Sequence, residues 1–158
     1  MKTFIEIDGW KTNIGFSAAH ILPNMGKCSR LHGHSYTISS KIIGEKNQND
    51  VVVDFSVLKT KLKKIAEELD HRILIAQKSK YITIGKKEVT LSFNEKTYIF
   101  PLEDCVLIPC ASVTAENLAE FILHKVINSM EFPSTITQIS IGVSEGFGNL
   151  AWCKKAIN

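Results

Sequence analysis

Two-residue alternation is the feature that most constrains this chain. From Ser35 to Ile43, Tyr36, Ile38 and Ile42 fall on one face and Thr37, Ser39 and Lys41 on the other. Ile139-Ser140-Ile141-Gly142-Val143 repeats that period, and Phe4-Ile5-Glu6-Ile7 carries a shorter version of it. Such a strand buries one face only, so the chain must build a sheet and cover it. Two segments have the helical period that would do so. The first is capped by Asp54 or Ser56 and places Val57, Leu58, Leu62, Ile65, Ala66 and Leu69 on one side. The second starts at Thr114, whose hydroxyl suits an N-cap with Glu116 in the first turn, and runs through Leu118, Ala119, Ile122, Val126, Ile127 and Met130 to a stop before Pro133. The polar run Gly44 to Asp50 followed by Val51-Val52-Val53 predicts a hairpin. Further short strands are predicted at Tyr81–Ile84 and within Val89–Phe100, an extra hairpin around 80–110. Strands, helix, strands, helix, strand is an α+β order dominated by antiparallel sheet.

Nothing marks an internal boundary, so residues 1–158 are expected to form one domain. Hydrophobic residues make up 44% and charged residues 22%, which excludes a disordered chain. No apolar stretch approaches the roughly 20 residues of a membrane span. Glu6 and Asp8 stand where a signal peptide needs its apolar run, so a cytoplasmic protein with no membrane partner is expected. A formal charge of +3 suits an anionic small molecule but falls short of a nucleic-acid binder. The four cysteines form no C-x-x-C pair and are expected to be reduced.

The chemistry gathers in the first half. In His32-Gly33-His34 the two imidazoles are two apart, so on a strand they share a side, in phase with Tyr36 and Ile38. Gly33 lets a backbone or a ligand approach closely. A neighbouring antiparallel strand could bring His20 opposite the pair. Three neutral imidazoles with an open fourth position suit catalytic zinc, while two hydrogen-bonded histidines without metal are equally compatible with the motif. Cys28, four residues before His32, could close a structural three-histidine, one-cysteine site or act beside the metal as base or nucleophile. Asp70-His71 ends the first helix, where adjacent residues do not face each other, and reads on its own as terminal charges. Glu145 takes the position at which the Ile139, Ile141, Val143 series calls for an apolar side chain. A carboxylate there needs a partner such as a paired N–H edge, unless the strand has already ended at Ser144. His124 falls on a polar helix face.

Phe16-Ser17-Ala18-Ala19-His20, Lys27-Cys28-Ser29-Arg30-Leu31-His32-Gly33-His34-Ser35-Tyr36, Val53 to Lys59, Leu69-Asp70-His71 and Thr114-Ala115-Glu116-Asn117 occur in the order seen in the 6-pyruvoyl-tetrahydropterin synthase family. The chain resembles most its 6-carboxy-tetrahydropterin synthase branch. The resemblance covers nearly the whole chain outside Ile75–Val113. It implies a tunnelling fold, an antiparallel sheet with two helices on one face, whose sheets join into trimeric barrels, stacked as a homohexamer (dimer of trimers) or left as a smaller homo-oligomer. It implies that His20, His32 and His34 bind Zn2+, that Cys28 is the catalytic thiol, and that Asp70 and His71 assist proton transfer from another subunit. Glu145 would grip the pterin, with Thr114 lining its pocket. The implied substrate is 7,8-dihydroneopterin triphosphate. The carboxy branch yields 6-carboxy-tetrahydropterin, acetaldehyde and triphosphate for 7-deazaguanine (queuosine- or archaeosine-type) nucleosides, and the pyruvoyl branch only eliminates triphosphate. A non-catalytic zinc-stabilised pterin binder is the reading from another class. The chain departs from the family at Gly146, where threonine usually follows the glutamate, at Val113, where proline or threonine usually stands, and in its longer 81–110 segment.

Overall fold

The computed structural model describes residues 1–157. Ten strands and three helices follow one another as β1 (Thr3–Ile7), α1 (Gly9–Thr12), β2 (Gly15–His20), β3 (His32–Gly44), α2 (Phe55–Leu69), β4 (Arg72–Ala76), β5 (Ile82–Ile84), β6 (Glu88–Phe93), β7 (Lys96–Pro101), β8 (Cys105–Ile108), α3 (Ala115–Ser129), β9 (Ile136–Gly146) and β10 (Asn149–Ala156). This is the α+β class expected. No helix among the described residues is long and apolar enough to cross a membrane.

β3 organises the larger sheet. Its order is β10-β9-β3-β2-β4-β8, with β1 also on β3. β1 pairs with Ser40–Gly44 and β2 with His32–Thr37, so the two share one edge of β3. The single turn α1 is a detour between them. Asp8 accepts from the amides of Trp10 and Lys11, and Asn13 closes the turn in the left-handed region at φ 53°. Gly9 is required there, because a Cβ would stand 2.4 Å from the Ile38 carbonyl oxygen. On the other edge, β9 pairs with Thr37–Gly44. Beyond β2, the pairings β2–β4 and β4–β8 are parallel, a departure from the antiparallel expectation.

α2 and α3 cover one face of this sheet, burying Leu58, Leu62, Ile65 and Leu69 from one helix and Leu118, Ile122 and Val126 from the other. Val57, predicted on the apolar side of α2, is exposed. The caps fall where predicted: Asp54 accepts from the Ser56 amide at 2.7 Å, and Thr114 from the Asn117 amide at 3.4 Å. Val51–Val53 pairs with no strand. It is a loop in which Val52 alone is buried, because both edges of β3 are already taken by β1, β2 and β9.

The short strands predicted at 81–84 and within 89–100 are present and extend the hairpin around 80–110 into a separate three-stranded antiparallel sheet, β5-β6-β7. The two-residue turn Asn94-Glu95, both at positive φ, joins its last two strands. Val89, Leu91, Phe93 and Phe100 form its small core with Ile21 and Ile75 of the larger fold.

Candidate metal centre and its surroundings

Register brings the three histidines together. His20 closes β2 and pairs with His32 at the start of β3, while His34 pairs with Ala18. One ligating nitrogen from each of the three lies within 4.8 Å of the others, and the group consists of these three alone among the described residues. It could hold a metal ion.

The hydrogen bonds define its tautomers. His20 Nδ1–H donates to the Val113 carbonyl oxygen at 2.8 Å, and His32 Nδ1–H to the Arg30 carbonyl oxygen at 2.7 Å. Each Nε2 is then left with a lone pair, and the two nitrogens face each other at 3.1 Å. Two lone pairs at that distance repel unless a cation lies between them. Tetrahedral ligands at 2.0–2.1 Å from a metal are separated by about 3.3 Å, so the residues present fit one. Burial pulls the pKa of His20 down to about 4. The Val113 hydrogen bond opposes that fall, and His32 and His34 add to it. His20 is therefore neutral and available as a donor at pH 7.

Tyr36, fully buried, places its hydroxyl 3.4 Å from His20 Nδ1. Burial, with the nearby Glu145 carboxylate adding to it, pushes the phenol pKa well above its ordinary value. β9 does continue to Gly146, so Glu145 is a strand residue in phase with Val143 and not a loop acid. Pairing of Thr37 with Ser144 sets it beside Tyr36. Histidine, phenol and carboxylate thus succeed one another across three strands.

Asp70 and His71 do pair, against the expectation for neighbours on a helix. α2 ends at Leu69, and His71 turns into the left-handed region at φ 56°. There its Nδ1–H donates to Asp70 Oδ2 at 2.7 Å. Ser17 of β2 holds both residues: its amide donates to Asp70 Oδ1, and its carbonyl accepts from the His71 amide, each at 2.7 Å. The Ser17 amide, with help from His71, holds the Asp70 carboxyl below the usual carboxylate range. His71 and His34 line the same open cleft of about 520 Å³, with Ser17, Ser35 and Arg72. A larger groove of about 810 Å³ along α3, beside Cys110 and Phe121, includes none of these groups.

Cys28 lies half-buried in the one-turn 3-10 segment Gly26–Ser29, on the loop joining His20 to His32. Its sulfur stands outside the histidine group. All four cysteines are free, and burial pushes the thiols of Cys105, Cys110 and Cys153 up, which leaves them weak nucleophiles at neutral pH. Thr114 caps α3 directly after Val113, the residue whose carbonyl fixes His20. The sequence assigns no site role to the Val113 and Arg30 carbonyls, Tyr36 or Ser17. Of these only Tyr36, in phase with both histidines of the pair, carried a signal.

A model of the 6-pyruvoyl tetrahydropterin synthase family matches residues 10–156. A Methanocaldococcus jannaschii protein provisionally named 6-carboxy-5,6,7,8-tetrahydropterin synthase is 32% identical over 157 residues, 96% of each chain. The 6-carboxy-5,6,7,8-tetrahydropterin synthase of Haemophilus influenzae is 32% identical over 120 residues, 70% of this chain and 75% of its own. Among solved structures, Plasmodium vivax 6-pyruvoyltetrahydropterin synthase superposes with a TM-score of 0.90 at 26% identity over 99% of both chains. One of its structures is a substitution of a catalytic glutamate. With the match running from α1 to the end of β10 and the fold superposing throughout, this chain belongs to the 6-pyruvoyl tetrahydropterin synthase family.

Proposed function

We propose that this protein is a zinc-dependent 6-carboxy-5,6,7,8-tetrahydropterin synthase that acts on 7,8-dihydroneopterin triphosphate, supplies 7-deazaguanine nucleoside synthesis in the cytoplasm and works as a homo-oligomer. The observation that carries this reading is the facing pair of Nε2 lone pairs at 3.1 Å, held by carbonyl-tethered imidazoles. Zinc bound by His20, His32 and His34 supplies Lewis acidity toward the hydroxyls of a substrate side chain. The chain's own groups handle protons and orientation. The Val113 and Arg30 carbonyls fix the two tautomers, a second shell of the kind that aims metal-ligating histidines. Glu145 accepts two N–H bonds from the guanidine-like edge of the pterin. Cys28 accepts a proton as thiolate. Asp70 holds His71 Nδ1–H, so His71 Nε2 is the atom free to exchange a proton, in the assembly with Cys28 of another subunit. Thr114, which caps α3 directly after the His20 tether at Val113, lines the pterin pocket.

The 6-pyruvoyl branch is the second reading, favoured by the likeness to the P. vivax enzyme. Incubating zinc-loaded protein with 7,8-dihydroneopterin triphosphate without oxygen and identifying the products by mass spectrometry separates the two. Acetaldehyde with 6-carboxy-tetrahydropterin is the expected result. A 6-pyruvoyl product without acetaldehyde moves the protein to the other branch, and no turnover overturns both. Cys28→Ala addresses the non-catalytic reading: zinc is expected to stay at wild-type stoichiometry while turnover falls at least a hundredfold, within the usual range for acid–base groups. Loss of zinc and fold together would make Cys28 a structural ligand instead.

A further inference from the structure

The loop that carries Cys28 is tied to the β5–β7 sheet at two places. The first tie is apolar. Ile21, directly after His20, is buried in that sheet's small core against Val89, Leu91 and Phe100, and Pro23 lies over the same cluster. The second is polar and passes through one side chain. Asn24 Nδ2 donates to the Tyr81 hydroxyl at 2.8 Å, and Asn24 Oδ1 accepts from Asn94 Nδ2, also at 2.8 Å. Both functions of one amide are spent on one end of the sheet: Tyr81 leads into β5, whose start lies beside the end of β6, and Asn94 is in the turn between β6 and β7.

The loop itself is a small closed unit. Asn24 sits in the left-handed region at φ 63°, which few non-glycine residues adopt without such support. The Met25 amide donates to the Leu22 carbonyl, the Cys28 amide to the Met25 carbonyl, and the Leu22 amide to the Cys28 carbonyl at 2.9 Å. The position of Cys28 is thus set from Leu22 and Met25, the two neighbours that flank Pro23 and Asn24. Fixing Asn24 fixes the turn that presents the thiol.

We propose that the β5–β7 sheet is the positioning device for Cys28, with Asn24, Tyr81 and Asn94 as its positioning residues. None of them needs to touch substrate. The sheet acts by holding the 21–31 loop against a scaffold near Ile21 and Asn24, while the histidines are held by β2, β3 and the Val113 carbonyl, with the Arg30 carbonyl at the far end of the loop where it enters β3. Removing the clamp should loosen the thiol and leave the metal in place. The part played by Cys28 in turnover rests on the function proposed above, but the clamp is measurable without substrate.

The test uses the full chain with metal bound. Asn24→Gly removes the amide and keeps the left-handed backbone, and Tyr81→Phe removes one hydroxyl and keeps the ring. Amide hydrogen exchange across residues 22–31 is expected to quicken at least tenfold in Asn24→Gly and severalfold in Tyr81→Phe, with metal stoichiometry unchanged. Iodoacetamide labelling of Cys28, followed by peptide mass spectrometry against pH, should show a changed rate profile in both. Asn24→Asp, which keeps an acceptor for Asn94 and can accept from the Tyr81 hydroxyl, should fall between wild type and Asn24→Gly. With dihydroneopterin triphosphate, kcat is expected to drop five- to twentyfold with KM within twofold. Exchange and labelling at wild-type rates in both variants would overturn the clamp. If they change as expected while the wild-type protein turns over no pterin, the clamp stands and the proposed function alone falls.

Discussion

Gly33 stands between two imidazoles of the candidate metal centre, and its missing side chain is what permits the spacing there. A Cβ at this position would lie 2.8 Å from the Ala18 carbonyl oxygen, on the strand that carries His20. The close approach is therefore of backbone, one of the two options the sequence left open. Gly33→Ala is expected to push β2 from β3, at about 1–3 kcal/mol of stability. Because His20 and His32–His34 sit on opposite sides of that gap, metal affinity should fall at least tenfold, as read by chelator competition. Asp70 makes a different prediction. Its carboxyl is held below the ordinary range, so it adds stability that is complete above its unfolded pKa of about 3.9 and is lost as pH falls through the lower folded value. Thermal melts between pH 6 and pH 2 should show a shallower acid slope for Asp70→Asn than for the wild type, with the two curves converging at the acid end. The grouping of three histidines was legible from H-x-H and one distant histidine. Their tethers were not, because a backbone carbonyl such as that of Val113 or Arg30 is common to every residue type. The Asp70–His71 pairing escaped for a related reason: it depends on where α2 stops and on the positive φ of His71, neither of which periodicity reports.

Among the elements, α3 couples the helical layer to the site. Thr114 caps it, and Val113, one residue earlier, holds His20. Thr114→Ala should cost about 1 kcal/mol in urea denaturation, the ordinary value of an N-cap. It should also weaken metal binding severalfold by loosening the Val113 carbonyl. A role confined to lining a pterin pocket would instead raise KM and leave both quantities alone. The long helices were legible because their apolar positions recur at 3.6 residues and both caps are spelled out in side chains. β4 was not: Ile73-Leu74-Ile75-Ala76 is a short continuous apolar run flanked by two parallel neighbours, so the alternation that announces a half-buried strand is missing. In β10, Leu150 and Trp152 are the exposed positions while Ala151 and Cys153 turn inward, a weak and inverted pattern. The opposite error occurred at Val51–Val53, where β-branched composition suggests a strand and no edge is free to receive it.

On the scale of the whole molecule, there are two cores rather than one. The larger lies between the seven-stranded sheet and its helices, and the smaller is enclosed by β5–β7 with Ile21 and Ile75 at the seam. Phe93 belongs to the smaller, so Phe93→Ala, at about 3–5 kcal/mol for an aromatic truncation, should unfold that part first. Hydrogen exchange is expected to rise across 82–101 and in the 21–31 loop while β3 and β9 keep their protection. Uniform loss of protection would mean that the two cores melt as one.

Placement of the ligands also bears on the order in which the protein assembles. All three histidines belong to β2 and β3, which pair antiparallel across the short span from Ser35 back to Ser17, so their closure costs little chain entropy. The Val113 carbonyl is 93 residues from His20 and arrives only when α3 has docked, and the parallel pairings of β4 and β8 likewise close long loops. A metal ion can thus be captured by one hairpin early in folding and gripped in its final geometry only at the end. Metal bound to these histidines during refolding would then act as a nucleus, joining two strands around which the slower, long-range half of the chain can settle.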